Sequence, residues 1–262
     1  EYVLINGNQI VMIFLNYLMT RNTELGTLTG NEYIVKTIVT TETIRTIAEA
    51  QHIKMYDCFT GFKWIANVMR ENEGKARYLG GGEESYGFLA EDFVRDKDSV
   101  SAISLMAEIA AWAKDKGLNM TDMLIDIYMK YGFSREKGIS LVRKGKSGAE
   151  EIIALMKQFR ENPPKEIAGS PVVTVKDFQS LVETNVATGE TKKLDMPATS
   201  NVLQYYTADR TKVSVRPSGT EPKIKFYIEV HDTLASADEY KATEARADEK
   251  INRIAKEFGI TK

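Results

Sequence analysis

Residues 213–226 place a cation, hydroxyl groups and a glycine in one short loop between two strand-like segments. The guanidinium of Arg216 presents a planar set of N–H donors that matches phosphate oxygens. Ser218 and Thr220 add hydroxyl donors, and Gly219 allows backbone N–H groups to turn toward an anion. A charged hairpin with a Pro/Gly turn has the same composition. The residue types therefore indicate either a phosphate-binding loop or a solvated hairpin.

A second glycine-rich loop, residues 81–87 (Gly-Gly-Glu-Glu-Ser-Tyr-Gly), combines carboxylates with a hydroxyl group. The oxygens of Glu83 and the hydroxyl of Ser85 suit neighbouring hydroxyls of a sugar, and a site that hydrogen-bonds hydroxyls rejects analogues that lack them. Two adjacent glutamates are also typical of an exposed acidic loop. The residues alone leave a sugar-binding loop and a solvated loop as alternatives.

Lys63 follows a Thr-Gly pair, residues 60–61, at the start of a predicted helix over residues 62–72. The N-terminus of a helix favours anions, so a lysine in its first turn is suited to a phosphate. An ordinary capped helix with an exposed lysine has the same spacing. Residues 95–98 (Arg-Asp-Lys-Asp) are a secondary candidate, and their pattern is more typical of a helix cap with a cluster of ion pairs.

Composition excludes several classes of protein. The 262 residues carry a net charge of −2 and no basic run, which disfavours general nucleic-acid binding. The single cysteine excludes an intrachain disulfide and fits a reducing compartment, so we expect a cytoplasmic protein. With two histidines far apart, the chain shows no zinc-ligand spacing, and no metal ligands are predicted. The most apolar stretch, residues 10–19, is too short to cross a membrane, and nothing resembles a signal peptide.

The first half of the chain alternates strand-like and helix-like patterns, which predicts a parallel, doubly wound sheet. Strands are predicted at residues 1–5, 33–39, 53–58 and 77–79, and helices at residues 9–19, 42–51, 62–72, 100–116 and 121–131. The apolar side chains predicted to line one face of the fourth of these helices are Ile103, Met106, Ile109 and Ala113. Ligands of such sheets bind beyond the carboxyl ends of the strands, where residues 60–61 and 83–85 would both lie.

After residue 131 the pattern predicts an antiparallel sheet with helices on one face. Residues 184–197 are polar and turn-rich; strands are predicted at residues 138–142, 172–175, 202–206, 213–215 and 224–230, and helices at residues 147–160 and 236–258. The predicted fold is an α/β three-layer domain with a mainly parallel sheet, followed by a smaller α+β domain with an antiparallel sheet. The predicted boundaries divide the chain into residues 1–25, which end a truncated preceding α/β domain, and residues 26–133 and 134–262.

Both loops resemble motifs of one family. Residues 216–222 (Arg-Pro-Ser-Gly-Thr-Glu-Pro) resemble the phosphate-binding loop in the last domain of the α-D-phosphohexomutases, the phosphoglucomutase/phosphomannomutase family. Residues 81–87 resemble that family's sugar-binding loop, and residues 60–63 resemble its Thr-Gly-x-Lys turn. The resemblance implies an isomerase of carbohydrate metabolism that moves a phosphoryl group between O1 and O6 of a hexose phosphate. It makes residues 26–133 the sugar-binding domain and residues 134–262 the phosphate-binding domain.

The resemblance also implies roles for individual residues. Glu83 and Ser85 would bind O3 and O4 of the sugar, and Lys63 would act near the transferred phosphate. The phosphate that is not transferred would be held by Arg216, Ser218, Gly219 and Thr220.

Two elements of the family's chemistry have no counterpart in this sequence. The family uses a phosphoserine, a bound Mg²⁺ and a hexose 1,6-bisphosphate intermediate, but the chain has neither an Asp-x-Asp-x-Asp-Arg metal loop nor a Ser-His-Asn-Pro stretch. The resemblance therefore covers only the C-terminal half of a mutase, and we expect this chain to be a fragment that is inactive alone. Hexose phosphates are the expected partners, without nucleic acid or membrane.

Other functions fit the same motifs. A non-catalytic phosphosugar-binding module would use Arg216 without chemistry, and a phosphoglucosamine mutase would need a sugar loop that recognises an amine at C2. A structural α/β protein with an accidental basic hairpin is a third alternative. The sequence does not distinguish glucose from mannose, and it leaves the oligomeric state and the angle between domains open.

Overall fold

The computed structural model describes residues 3–143, 145–219 and 221–261, with the side chain of residue 146 left aside. The chain forms two compact units, and the change from one to the other falls between Phe133 and Ser134. The short segment Leu234–Ala237 also belongs to the first unit. Within the described residues, no helix is both long and apolar enough to cross a lipid bilayer.

The first unit contains a four-stranded sheet of order β2-β1-β3-β4. Its elements in chain order are α1 (Gly7–Glu24), β1 (Glu32–Thr37), α2 (Thr43–Ala50), β2 (Lys54–Cys58), α3 (Phe62–Asn72), β3 (Arg77–Gly82), β4 (Phe88–Ala90), α4 (Ser99–Asp115) and α5 (Met120–Tyr131). The central strand β1 runs parallel to β2 and β3, whereas β4 returns antiparallel to β3 as a short hairpin. The predicted mainly parallel sheet is confirmed.

Helices cover both faces of this sheet. Every residue of β1 is buried, as expected for a strand with helices on either side. On one face, Val35 and Tyr78 pack with Phe62 and Ile65 of α3 in a single apolar cluster. On the other face α1 lies directly against β3, where a Cβ on Gly82 would come within 2.7 Å of Val11. The predicted three-layer arrangement is therefore present.

Helix α1 belongs to this unit, which differs from the predicted division at residue 25. The polar residues that follow α1 are tied to the sheet, because Arg77 at the start of β3 donates to the Thr27 carbonyl and to Asn22 Oδ1. The helix also packs on β3. Residues 3–5, predicted as part of a strand, are not in a strand. Of the residues predicted to line one face of α4, Ile109 and Ala113 are buried, whereas Ile103 is 70% exposed.

The second unit is built on an antiparallel sheet of order β5-β12-β11-β10-β7-β8-β9, with β6 paired to β7. Its elements are β5 (Phe133–Val142), α6 (Gly145–Glu161), β6 (Glu166–Ile167), β7 (Ser170–Asp177), β8 (Val182–Asn185), β9 (Thr191–Lys193), β10 (Leu203–Thr207), β11 (Lys212–Pro217), β12 (Lys223–Asp232), a 3₁₀ turn (Ala237–Glu239) and α7 (Tyr240–Glu257). The predicted antiparallel sheet is confirmed. The end of β8 and all of β9 lie in residues 184–197, which were predicted as turn-rich.

The core of the second unit lies between β12 and the helices. Phe226 of β12 is fully buried and lies 6.0 Å, centroid to centroid, from both Phe159 of α6 and Phe258 at the end of α7. Ile224 and Ile228 flank it on the same face of the strand, as the two-residue repeat of a strand requires. Both helices therefore cover one face of this sheet.

Candidate functional site

Three strands of the first unit end at the same edge of the sheet and carry the candidate sugar site. Parallel strands β1, β2 and β3 end at Thr37, Cys58 and Gly82, and the segments that follow them lie beyond their carboxyl ends. The Gly61 N–H donates to Glu83 Oε2 at 3.1 Å. This bond joins the turn after β2 to the loop after β3, so the structure brings two of the predicted segments together.

Glu83 is held inside its loop. Its side chain is buried, and its backbone N–H donates to the Gly87 carbonyl at 2.8 Å to close the β3–β4 hairpin. A Cβ on Gly87 would lie 3.1 Å from Glu83 Oε1, so the carboxylate packs against the backbone of its own loop. One oxygen accepts from the start of α3, and the other lies beside Gly87. Glu83 is thus the fixed member of the predicted pair, and Ser85 is the exposed one.

Ser85 opens onto a cavity of about 430 Å³. The cavity is lined by Ser85, Tyr86, Gly87, Phe88, Lys97, Asp98, Ser99 and Ala102. Lys97 packs its side chain against Gly87, and its amine lies 3.1 Å from Asp96 Oδ1. Asp98 caps α4 through the N–H groups of Val100 and Ser101. The predicted cap and ion pair are therefore present, but Lys97 also lies at the cavity, which sequence spacing alone does not reveal.

Lys63 lies apart from this loop. It is exposed on the first turn of α3, with its amine 5.3 Å from the centroid of the Trp64 ring. Among the residues that the structure describes, no hydrogen bond or ion pair joins Lys63 to residues 83–87. The group that contacts Glu83 is the backbone of Gly61, whose φ of +103° suits glycine. The role predicted for Lys63 stays a prediction.

A buried ion cluster fixes the ends of β1 and β2 beside the sugar loop. The fully buried amine of Lys36 lies 2.9 Å from Asp57 Oδ1 and 3.0 Å from Glu42 Oε1, and Arg45 contacts both carboxylates. Thus two cations face two anions, as burial of charge requires. The sequence analysis did not identify this cluster. A lysine inside the otherwise apolar strand was the available signal.

In the second unit, two cations lie opposite each other at the candidate phosphate loop. Arg216 on β11 pairs directly with Lys225 on β12, so both side chains leave the same face of the sheet. Within the described parts of the chain, no carboxylate forms an ion pair with either of them. Like charges in this position repel, and an anion between them would remove the repulsion. This pair, the candidate clamp, is suited to a phosphate or another small anion.

The loop between these strands is closed by its own hydrogen bonds. The Ser218 N–H donates to the Lys223 carbonyl at 2.8 Å, and the Glu221 N–H donates to Ser218 Oγ at 3.3 Å. Gly219 is exposed, with open space where a Cβ would be. Lys223 pairs with Glu221; the hydrogen bond from Lys223 and, to a smaller extent, the charge of Lys225 lower the pKa of the Glu221 carboxyl. Lys223 is therefore ion-paired with Glu221, whereas Lys225 interacts with it only at longer range. Thr220 lies outside the described residues.

The start of α6 lies beside the phosphate loop. The Arg143 N–H donates to the Pro222 carbonyl at 2.9 Å, and the Arg143 guanidinium pairs with Glu151 at 3.0 Å. Helix α6 begins two residues later, at Gly145. The backbone bond of Arg143 therefore joins the segment before α6 to the loop.

No metal site accompanies either loop in the described part of the chain. No group of three or more His, Cys, Asp or Glu side chains there is placed to hold a metal ion. Cys58 is buried, and burial raises the pKa of its thiol, so it is an inert core residue. The described residues therefore do not fit the Mg²⁺ site that the sequence resemblance implies for a complete enzyme.

Comparison with family models matches both units. The model described as phosphoglucomutase/phosphomannomutase, alpha/beta/alpha domain III matches residues 6–131, and that family's C-terminal domain matches residues 155–247. Over 85% of its own length, the chain is 35% identical to a phosphoglucomutase of Staphylococcus epidermidis and 34% identical to one of Staphylococcus aureus. It spans about two fifths of the length of these curated relatives, 40% and 39% respectively.

Solved structures share the fold at low identity. The chain resembles the open form of pp63/parafusin, a phosphoglucomutase from Paramecium, with a TM-score of 0.57 and 14% identity over 97% of this chain and 43% of that one. A phosphoglucomutase/phosphomannomutase family protein from Burkholderia thailandensis gives a TM-score of 0.54 and 17% identity over 97% of this chain and 42% of its own. At such identities these likenesses show the fold alone.

Proposed function

Because this chain belongs to the phosphoglucomutase/phosphomannomutase family, we propose that it is the sugar- and phosphate-binding half of a hexose phosphate mutase. The complete enzyme would interconvert hexose 1-phosphate and hexose 6-phosphate, as an isomerase of carbohydrate metabolism. The observation that carries the proposal is the placement of Arg216 opposite Lys225 beside the loop of Ser218. Two cations that form no ion pair with a carboxylate of the described residues are suited to a phosphate dianion.

In this proposal the second unit holds the phosphate that is not being transferred. Arg216 would bind two phosphate oxygens with its planar fork, and Lys225 would add a point charge. Ser218 and Gly219 would supply donors from the loop. Thr220 has the same proposed role from its place in the motif alone. The electrostatic attraction makes binding of phosphate dependent on ionic strength.

The first unit would hold the sugar. Ser85 is exposed at the cavity and would bond one hydroxyl, while the buried Glu83 would orient the loop and accept from a second. Lys97 lines the same cavity, so it is a further candidate for an anionic or hydroxyl group of the ligand. Lys63 would act near the transferred phosphate, a role that rests on the resemblance.

Transfer of a phosphoryl group depends mainly on positioning and on neutralising charge. In this proposal the first unit would bind the sugar and the second unit a phosphate, of the substrate and of the hexose 1,6-bisphosphate intermediate. The phosphoserine and the Mg²⁺ ligands would come from a part of a longer protein. We also propose the cytoplasm as the compartment, since the free Cys58 suits a reducing environment.

The proposal is tested by thermal-shift titrations with glucose 6-phosphate, glucose 1-phosphate, glucosamine 6-phosphate, free glucose and inorganic phosphate. A ligand that binds only the folded state raises the melting temperature by mass action. We expect the phosphosugars to stabilise the chain, and Arg216→Ala to abolish the shift. Arg253→Ala is the matched control, because it removes an exposed arginine from α7 of the same unit. Equal shifts for Arg216→Ala and Arg253→Ala would contradict the phosphate assignment.

A further inference from the structure

Tyr86 adopts a backbone conformation that bulky residues avoid. Its φ is +72°, in the left-handed region where the Cβ of an L-residue is crowded. Glycine would take this conformation without cost, and the loop uses glycine at neighbouring positions. Strained residues of this kind occur where the surrounding structure holds them and where the side chain has a use.

The surroundings hold Tyr86 in place from two sides. The Tyr86 N–H donates to the Glu83 carbonyl at 3.2 Å, inside the hairpin closed by Gly87. Gly7, the first residue of α1, packs against the same backbone: a Cβ there would lie 2.0 Å from the Glu84 oxygen and 2.9 Å from the Tyr86 nitrogen. The close contact with Gly7 therefore prevents the loop from relaxing toward α1.

The Tyr86 side chain lies mostly outside the core of the unit. The residue is 56% exposed, and among the described residues no hydrogen bond from its hydroxyl and no ring contact is seen. It lines the cavity of about 430 Å³ next to Ser85. A rigid aromatic ring with one apolar face and a polar tip is suited to a ligand that has both kinds of surface.

We propose that Tyr86 is a specificity-determining residue whose ring covers the apolar C–H face of the hexose ring while Ser85 bonds a neighbouring hydroxyl. The inference rests on the proposed function and names the feature of the ligand that this loop selects, a closed sugar ring. A phosphate ester without such a ring would gain nothing from Tyr86.

The test compares two ligands on the full chain. Glucose 6-phosphate has the ring, and glycerol 3-phosphate has a phosphate and hydroxyls but no ring. Tyr86→Asn removes the aromatic ring and keeps a residue that tolerates the left-handed region, so the variant is expected to melt at the same temperature or higher. We expect it to bind glucose 6-phosphate about tenfold more weakly and glycerol 3-phosphate unchanged. Tyr86→Phe should bind both like the wild type.

The results distinguish failure of the role proposed for the Tyr86 ring from failure of the proposed function. If Tyr86→Asn binds glucose 6-phosphate as tightly as the wild type, or loses affinity for both ligands equally, the role of the ring is overturned while the phosphate site stands. If the wild-type chain binds neither ligand, the proposed function itself is overturned, and the role of Tyr86 with it. An unchanged melting temperature in Tyr86→Asn shows that any loss of affinity does not come from unfolding.

Discussion

Two cations that face each other across neighbouring strands repel each other in the unliganded protein and attract an anion that binds between them. They therefore lower the stability of the unliganded protein and raise its affinity for the anion. Arg216 and Lys225 are in this arrangement, whereas Lys223 is neutralised by Glu221. Repulsion between directly opposed like charges costs a few tenths of a kcal/mol, up to about 1 kcal/mol. The residues of the phosphate loop are therefore expected to show opposite effects on stability and on binding.

We predict that Lys225→Gln weakens binding of inorganic phosphate about fivefold to tenfold, because one of two opposing charges is lost. The unliganded variant should melt at the same temperature or slightly higher, since the repulsion with Arg216 is relieved. Isothermal titration with phosphate at low ionic strength measures the first effect, and calorimetry the second. Lys223→Gln is the control and should bind phosphate nearly like the wild type; equal losses in the two variants would contradict the clamp.

Asp209 gives the second unit a dependence on pH. Burial opposes its charge, but hydrogen bonds from Lys250 Nζ at 2.6 Å and from Thr207 and Thr211 outweigh burial and hold the pKa of this carboxyl well below its usual range. A carboxylate with a lowered folded-state pKa stabilises the fold above its unfolded pKa of about 3.9. That stabilisation is lost as the pH falls through the folded-state value.

We predict that Asp209→Asn lowers the stability at pH 7 by about 1 kcal/mol or less, because the carboxylate is partly exposed and solvent screens it. The difference from the wild type should shrink as the pH falls below about 4. Melting curves of both proteins between pH 7 and pH 2.5 measure this convergence. Curves that stay parallel over the whole range would show that the hydrogen bonds of Asp209 do not depend on its charge.

At the scale of elements, the N-terminus of α1 packs directly against the backbone of residues 84–86 in the candidate sugar loop. A Cβ on Gly7 would overlap the Glu84 carbonyl oxygen at 2.0 Å, so the helix can approach the loop only because residue 7 is glycine. The Asn6 and Gln9 side chains form a capping box that fixes where the helix begins. The helix therefore cannot shift along its axis to make room for a larger residue.

We predict that Gly7→Ala destabilises the first unit by about 1–3 kcal/mol through overpacking. The displaced loop should also bind glucose 6-phosphate more weakly. Urea unfolding measures the stability, and titration of the folded variant measures the affinity. Gly138→Ala is a control, since a Cβ at Gly138 meets nothing within 4 Å. A Gly7→Ala variant as stable as the Gly138→Ala variant would contradict the contact between α1 and the loop.

The sequence predicted the elements whose patterns are strong and local. Helix α3 was predicted at its observed bounds, because its apolar positions repeat with the helical period between Gly61 and Asn72. Strands β8 and β9 were missed because they are polar and half-buried or exposed, so they lack the alternation that marks a strand. On α4 the buried face is Leu105, Ile109 and Ala113; apolar residues on several faces of this helix made the inward face ambiguous.

The candidate site was predictable in its motifs and unpredictable in its geometry. The two loops carry recognisable residue strings, and the structure places Glu83 and Arg216 on them. The contribution of Lys225 depends on strand register, and that of Lys97 depends on how residues 95–98 fold back to Phe88, where the Asp98 N–H donates. Neither can be derived from spacing. The ion cluster around Lys36 likewise exists only once β1 and β2 pair.

At the scale of the whole chain, each unit has its own apolar core, so each is expected to keep its binding loop in shape. Binding residues alone do not make a catalyst of phosphoryl transfer, which needs a nucleophile and charge neutralisation at the reacting group. We predict that the purified chain, supplied with Mg²⁺ and glucose 1,6-bisphosphate, does not convert glucose 1-phosphate to glucose 6-phosphate. A coupled assay for glucose 6-phosphate measures this, and turnover that disappears in Arg216→Ala would contradict it.

If the first unit binds the sugar and the second the phosphate, different ligands should protect different backbone amides from hydrogen exchange. Inorganic phosphate offers charge without a sugar ring, so it should slow hydrogen exchange in peptides that cover residues 213–226 and leave residues 81–87 unchanged. Glucose 6-phosphate offers hydroxyls as well as charge, so it should slow exchange in both segments. Exchange followed by mass spectrometry at several ligand concentrations measures both effects. Protection of residues 81–87 by inorganic phosphate alone would instead make that loop, with Lys97 beside it, an anion site, and the assignment of sugar to the first unit and phosphate to the second would fail.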